Sequence, residues 1–80
     1  MKTVQISLNS IDKVKSFVNA ITQFNFDFDL ISGRYVIDAK SIMGIFSVDL
    51  SRELVLRISS DDVEECKEIR EKLKAFIVED

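Results

Sequence analysis

The 80-residue sequence contains no histidine, one cysteine and only two glycines. Each shortage removes a class of chemistry. Without an imidazole there is no side chain whose ordinary titration lies near neutrality, and no Ser-His-Asp set can be assembled. One cysteine, Cys66, cannot close an internal disulfide, and with no histidine beside it a zinc site lacks ligands. The two glycines, Gly33 and Gly44, do not make a P-loop or a dinucleotide-binding fingerprint. No apolar run approaches the roughly 18 residues of a membrane span. The first residues, Met1-Lys2-Thr3-Val4-Gln5, lack the long apolar core of a signal peptide. A reducing cytoplasm is the expected compartment.

What is present fits a small soluble domain occupying residues 1–80. A chain of this length buries only about 60–65% of the surface its unfolded form exposes, so it has one core and little room for an enclosed active site. The apolar share is 46% and the charged share 31%, both ordinary for a globular fold. The formal net charge is -3, with Lys and Arg scattered rather than gathered into the basic face that nucleic acid requires. The expectation is a non-enzyme with no cofactor, no metal, no small-molecule substrate and no direct nucleic-acid or membrane contact. Its partners would be proteins.

The hydrophobic periods define seven elements. Residues 3–8 alternate, with Val4, Ile6 and Leu8 on one face, and read as a strand. Asn9 and Ser10 suit a helix cap, and Asn9 with Asp12 approximates a capping box. Ile11, Val14, Phe17, Val18, Ile21 and Phe24 form one apolar stripe of a helix over 10–23. From Phe24 the period becomes two: Phe24, Phe26, Phe28 and Leu30 alternate with polar residues, giving a strand over about 25–31 whose apolar face is core. Ser32-Gly33 is a turn, and 34–39 completes a hairpin through Tyr35, Val36 and Ile37. Ser41 caps a short apolar helix over 42–48. Residues 53–58 form a fourth strand with Leu54, Leu56 and Ile58 inward. A last helix over 61–77 buries Val63, Cys66, Ile69, Leu73 and Phe76, with acids at its start and lysines at its end, as the helix dipole favours. The order β-α-β-β-α-β-α implies an α+β fold, an open-faced sandwich in which helices cover one face of a four-stranded antiparallel sheet.

Lys40-Ser41-Ile42-Met43-Gly44-Ile45-Phe46-Ser47 resembles the regulatory-serine segment of HPr, the phosphocarrier of the bacterial sugar phosphotransferase system. The element order extends the likeness over nearly the whole chain. The resemblance implies the HPr-like sandwich and a phosphorylation candidate at Ser41, modified in the family by an HPr kinase and then read by a transcription factor. It also implies partner contacts through Lys40, Ile42, Met43 and Phe46, of which Ile42, Met43 and Phe46 are expected to face outward at least in part.

The active-centre sequence of the family does not match. There, Gly-Ile-His-Ala-Arg-Pro opens the first helix and the histidine caps it. Here the corresponding stretch is Ser10-Ile11-Asp12-Lys13-Val14-Lys15, which sets Asp12 at the position of the histidine, within an offset of one or two residues, and Val14 at that of the arginine. One HPr-like group in spore-forming bacteria keeps the serine without the histidine and serves regulation alone, and this chain is similar to it in outline.

Three readings therefore stand together. The first is a non-catalytic regulatory or adaptor protein, switched at Ser41 and linked to sugar uptake or carbon catabolite regulation, with an HPr kinase, a transcription factor or a metabolic enzyme as partner. The second is a constitutive interaction module using the short helix, where Ser41 is only a cap. The third is an unusual phosphocarrier using Asp12, or Cys66, which otherwise reads as a buried small hydrophobe.

Overall fold

In the computed structural model residues 2–78 are described. The ends of the expected 1–80 domain, residues 1, 79 and 80, lie outside them. The order is β1 (Lys2–Ile6), α1 (Ile11–Ile21), β2 (Phe28–Ser32), β3 (Tyr35–Asp38), α2 (Ile42–Phe46), β4 (Leu54–Ile58) and α3 (Val63–Lys72). The strands form one sheet in the order β1-β4-β2-β3, antiparallel at every pairing. The expected α+β architecture is the one observed.

Alternation places the core. Val4 and Ile6 of β1, Phe28 and Leu30 of β2, and Leu54, Leu56 and Ile58 of β4 are buried beneath Val14, Phe17, Val18 and Ile21 of α1, Ile45 of α2, and Cys66 and Ile69 of α3. Phe17 meets Phe76 edge to face, with ring centroids 5.8 Å apart, a favoured aromatic geometry. The opposite face of the sheet carries Asp29, Ile31, Val55 and Arg57, and Arg57 donates two hydrogen bonds to Asp29 across the β2–β4 pair at 3.2 and 2.8 Å.

Most boundaries lie a residue or more inside the periodic reading, and the larger departures have physical causes. β1 ends at Ile6. Leu8 is still buried, and Ser7 donates to the carbonyl of Phe76 at 2.9 Å, so the chain is held there by the C-terminal segment. β2 begins at Phe28 rather than near residue 25, because Phe28 pairs with Ile58, the last residue of β4. Asp27 and Ser59 finish that pairing with loop hydrogen bonds. Phe24 and Phe26 consequently lie in the connection, half-buried against the core and stacked on each other at 6.4 Å.

α3 stops at Lys72, followed by turns that still bury Leu73 and Phe76. Ile11 and Val63 leave their expected stripes: they are 61% and 72% exposed. Each is the first residue of its helix, one turn before the first buried side chain (Val14 and Cys66).

The caps are side-chain oxygens. Ser10 accepts from the N–H of Lys13 at 3.1 Å and opens α1, so the cap is Ser10 and the Asn9–Asp12 box is not used. Asp62 accepts from the N–H of Glu65 and opens α3. The hairpin turns at Gly33, whose φ of 59° is open to glycine at little cost.

Candidate functional site

The site is built around α2. Ser41 has extended backbone angles, and its hydroxyl accepts from the N–H of Gly44 at 3.2 Å. The carbonyl of Ser41 accepts the first helical bond, from Ile45, and its own N–H donates to the carbonyl of Asp38. Ser41 thus joins the end of β3 to the start of α2. Gly44 keeps this corner tight: a Cβ there would lie 3.3 Å from the Ser41 hydroxyl and 3.8 Å from Cβ of Ile37.

One turn of helix cannot bury every side. Ile45 is wholly buried and anchors α2, while Ile42, Met43 and Phe46 are 37%, 80% and 42% exposed. The expected outward set is the set observed. α2 packs on both α1 and β3. Exposed Met and Phe at the same short helix make an apolar surface of the kind that partner proteins cover.

Lys40 differs from its neighbours. Its ammonium donates to the carbonyl of Phe24 at 2.7 Å and sits over the Phe28 ring, 5.6 Å from the centroid. Its backbone N–H donates to the Asp38 carboxylate at 2.9 Å. The side chain expected to meet a partner is engaged within the fold. Nothing in the sequence of a lone lysine before a serine signals this, although Phe24 and Phe28 both belong to the apolar alternation of that segment.

The start of α1 places the remaining candidates. The capping residue is Ser10, two positions before Asp12; Asp12 lies exposed in the first turn. Val14 is a fully buried core residue. Cys66 is buried, and its thiol donates to the carbonyl of Ser60 at 3.3 Å. Among the described residues, no three of the Asp, Glu and Cys side chains come together in a manner able to hold a metal ion, and no helix is long and apolar enough to cross a membrane.

A family model described as "PTS HPr component phosphorylation site" matches residues 13–79. The chain belongs to the HPr family. The match begins at Lys13, after both Ser10 and Asp12. Among solved structures, HPr-C-His from Thermoanaerobacter tengcongensis is similar at 28% identity and a TM-score of 0.70, over 91% of this chain and 90% of that one. A phosphocarrier protein HPr from Bacillus anthracis is similar at 26% identity and a TM-score of 0.65, over 89% and 92%. The histidine-containing phosphocarrier protein of Mycoplasma shares the fold, at 15% identity and a TM-score of 0.66 over 98% of each chain. No curated protein matches. The sandwich expected from periodicity is thus the HPr fold, carried by a chain without histidine.

Proposed function

We propose that this HPr-family chain is a non-catalytic regulatory or adaptor protein that acts by being recognised, not by relaying phosphate. The observation that carries the reading is the residue at the cap of α1: Ser10, in a sequence with no imidazole. The family's histidine caps that helix, so Ser10 is the better counterpart than Asp12. The same spacing then sets Asp12 where the family has arginine. A serine hydroxyl is far from titrating near neutrality, whereas a histidine is poised there. An Asp in the arginine's place repels a transferred phosphate instead of holding it.

Ser41 is the proposed modification site. Its hydroxyl already faces the N-terminus of α2, where a phosphate would meet backbone N–H groups and the positive end of the dipole. Ile42, Met43 and Phe46 beside it supply the apolar part of a partner surface. An HPr kinase with ATP should add one phosphate to the wild-type chain and none to Ser41→Ala. Absence of label under conditions that modify authentic HPr would reject the switch.

A second reading, constitutive docking through α2 without phosphorylation, is favoured by the 80% exposure of Met43, which needs no modification to be accessible. The carrier reading through Asp12 or Cys66 has less support. Asp12 stands alone in a first helical turn, where a carboxylate complements the dipole, and the Cys66 thiol is already hydrogen-bonded inside the core.

A further inference from the structure

The two edges of the sheet are treated differently by the fold. The β1 edge is covered near its end by the C-terminal segment: Ile77 bridges Ile6, and Val78 donates to the carbonyl of Gln5 at 2.9 Å. At the other side of the sheet, β3 is the last strand, and among the described residues none pairs with its outer edge. Tyr35 and Val36 on it are 66% and 54% exposed. An open edge with exposed apolar side chains is a template for another strand.

The direction of the free groups follows from the hairpin. The N–H of Ala39 donates to the carbonyl of Phe28, and the β2–β3 register pairs Leu30 with Ile37 and Ser32 with Tyr35. The odd-numbered residues of this strand therefore bond inward. By the alternation of an antiparallel ladder, Val36 directs its N–H and carbonyl away from the sheet.

We infer that β3 pairs with the β3 of a second copy, antiparallel about a two-fold axis at Val36. That register exchanges two hydrogen bonds between the two Val36 residues. It also sets Arg34 of each copy opposite Asp38 of the other, and Tyr35 opposite Ile37. Residues 36 and 38 of β3 share the open face of the sheet, and 35 and 37 share the helix side, while Arg34 belongs to the turn that leads into the strand. The strand is thus self-complementary: an aromatic–β-branched pair occurs twice on the helix side, and at each end the turn residue Arg34 comes level with Asp38 of the other copy, within reach of a long side chain.

The charges support the choice of a second copy as the occupant. Asp38 stands opposite Asp29 in the β2–β3 register, a like-charged neighbour that is unfavourable unless offset. Asp29 has Arg57. Among the described residues neither Asp38 nor Arg34 is in an ion pair, the Asp38 carboxylate accepting only the Lys40 backbone N–H, so each cation of one copy meets an anion of the other that has no cation of its own. The contact is short, a four-residue strand on each side, which places it among weak, concentration-dependent associations.

Sedimentation of the full chain over a concentration series tests this independently of any role for Ser41. A monomer–dimer equilibrium is expected for the wild type. Arg34→Asp should weaken it by about tenfold or more, by turning both end pairs repulsive. The exchange variant Arg34→Asp with Asp38→Arg should restore it. Val36→Pro removes the outward donor while sparing the bonds to β2, and should abolish pairing in a chain that still folds. A monomer up to millimolar concentration overturns the inference. So does a dimer that Arg34→Asp and Val36→Pro leave unchanged.

Discussion

The ammonium of Lys40 and the carbonyl of Phe24 are joined by a 2.7 Å hydrogen bond that ties the approach to α2 to the loop after α1, 16 residues apart in the chain. With the Phe28 ring beneath it, the half-buried charge is satisfied on two sides. Lys40→Met should therefore cost about 1–2 kcal/mol in urea denaturation, from a lost charged hydrogen bond and a cation–π contact. A variant of unchanged stability but impaired partner capture would instead make Lys40 a docking residue.

Ser41 has a structural role whether or not it is modified. Removing its hydroxyl leaves the Gly44 N–H without its acceptor, so Ser41→Ala should lower stability by about 1 kcal/mol. Ser41→Asp should stay within about 0.5 kcal/mol of wild type, because a carboxylate caps as well as a hydroxyl. Matched thermal melts check both. Equal melting of wild type and Ser41→Ala would show that the cap contributes nothing.

Ile45 and Met43 divide the short helix between core and surface. Ile45→Ala opens a cavity and should cost about 2–5 kcal/mol. Met43→Asp should leave the melting temperature almost unmoved yet abolish capture of a partner in a pull-down. Retained capture by Met43→Asp would remove this surface from the account.

Asp49 makes one pH-dependent contribution. The Ser51 hydroxyl and backbone N–H both donate to its carboxylate, at 2.6 and 3.0 Å, and Arg52 lies 3.6 Å away. These hold its pKa below the ordinary aspartate value, the Ser51 side-chain bond being the largest cause. A depressed folded-state pKa means that its contribution to stability is complete above the unfolded-state pKa and is lost as pH falls through the folded one. Carboxyl NMR titration should find Asp49 below the free aspartate midpoint, and Ser51→Ala should move it upward. A midpoint insensitive to Ser51→Ala would contradict that cause.

Where the sequence was legible, a single physical rule governed. Strand alternation marked Leu54, Leu56 and Ile58, and helical spacing marked Val14, Phe17, Val18 and Ile21, because one buried face leaves a clean period. It misled at Ile11 and Val63, where apolar spacing continues into helix starts that tertiary packing leaves open. Phe24 and Phe26 kept a strand's period but had no β4 residue left to pair with. The outward side of α2 was readable because one turn cannot bury four apolar residues. Lys40 was not, since its partners lie far away in sequence. Ser10 carried a usable signal: a serine before an apolar stripe caps a helix, and on the proposed reading that cap is the counterpart of the family's histidine.

The most direct measurement is phosphoryl transfer itself. Purified wild-type chain is incubated with phosphoenolpyruvate and Enzyme I, with authentic HPr as the positive control, and the products are assayed for acid- and hydroxylamine-labile phosphate. The account predicts none on this chain and no onward transfer to a sugar permease component. Labile phosphate on the chain, passed on to such a component, would contradict it.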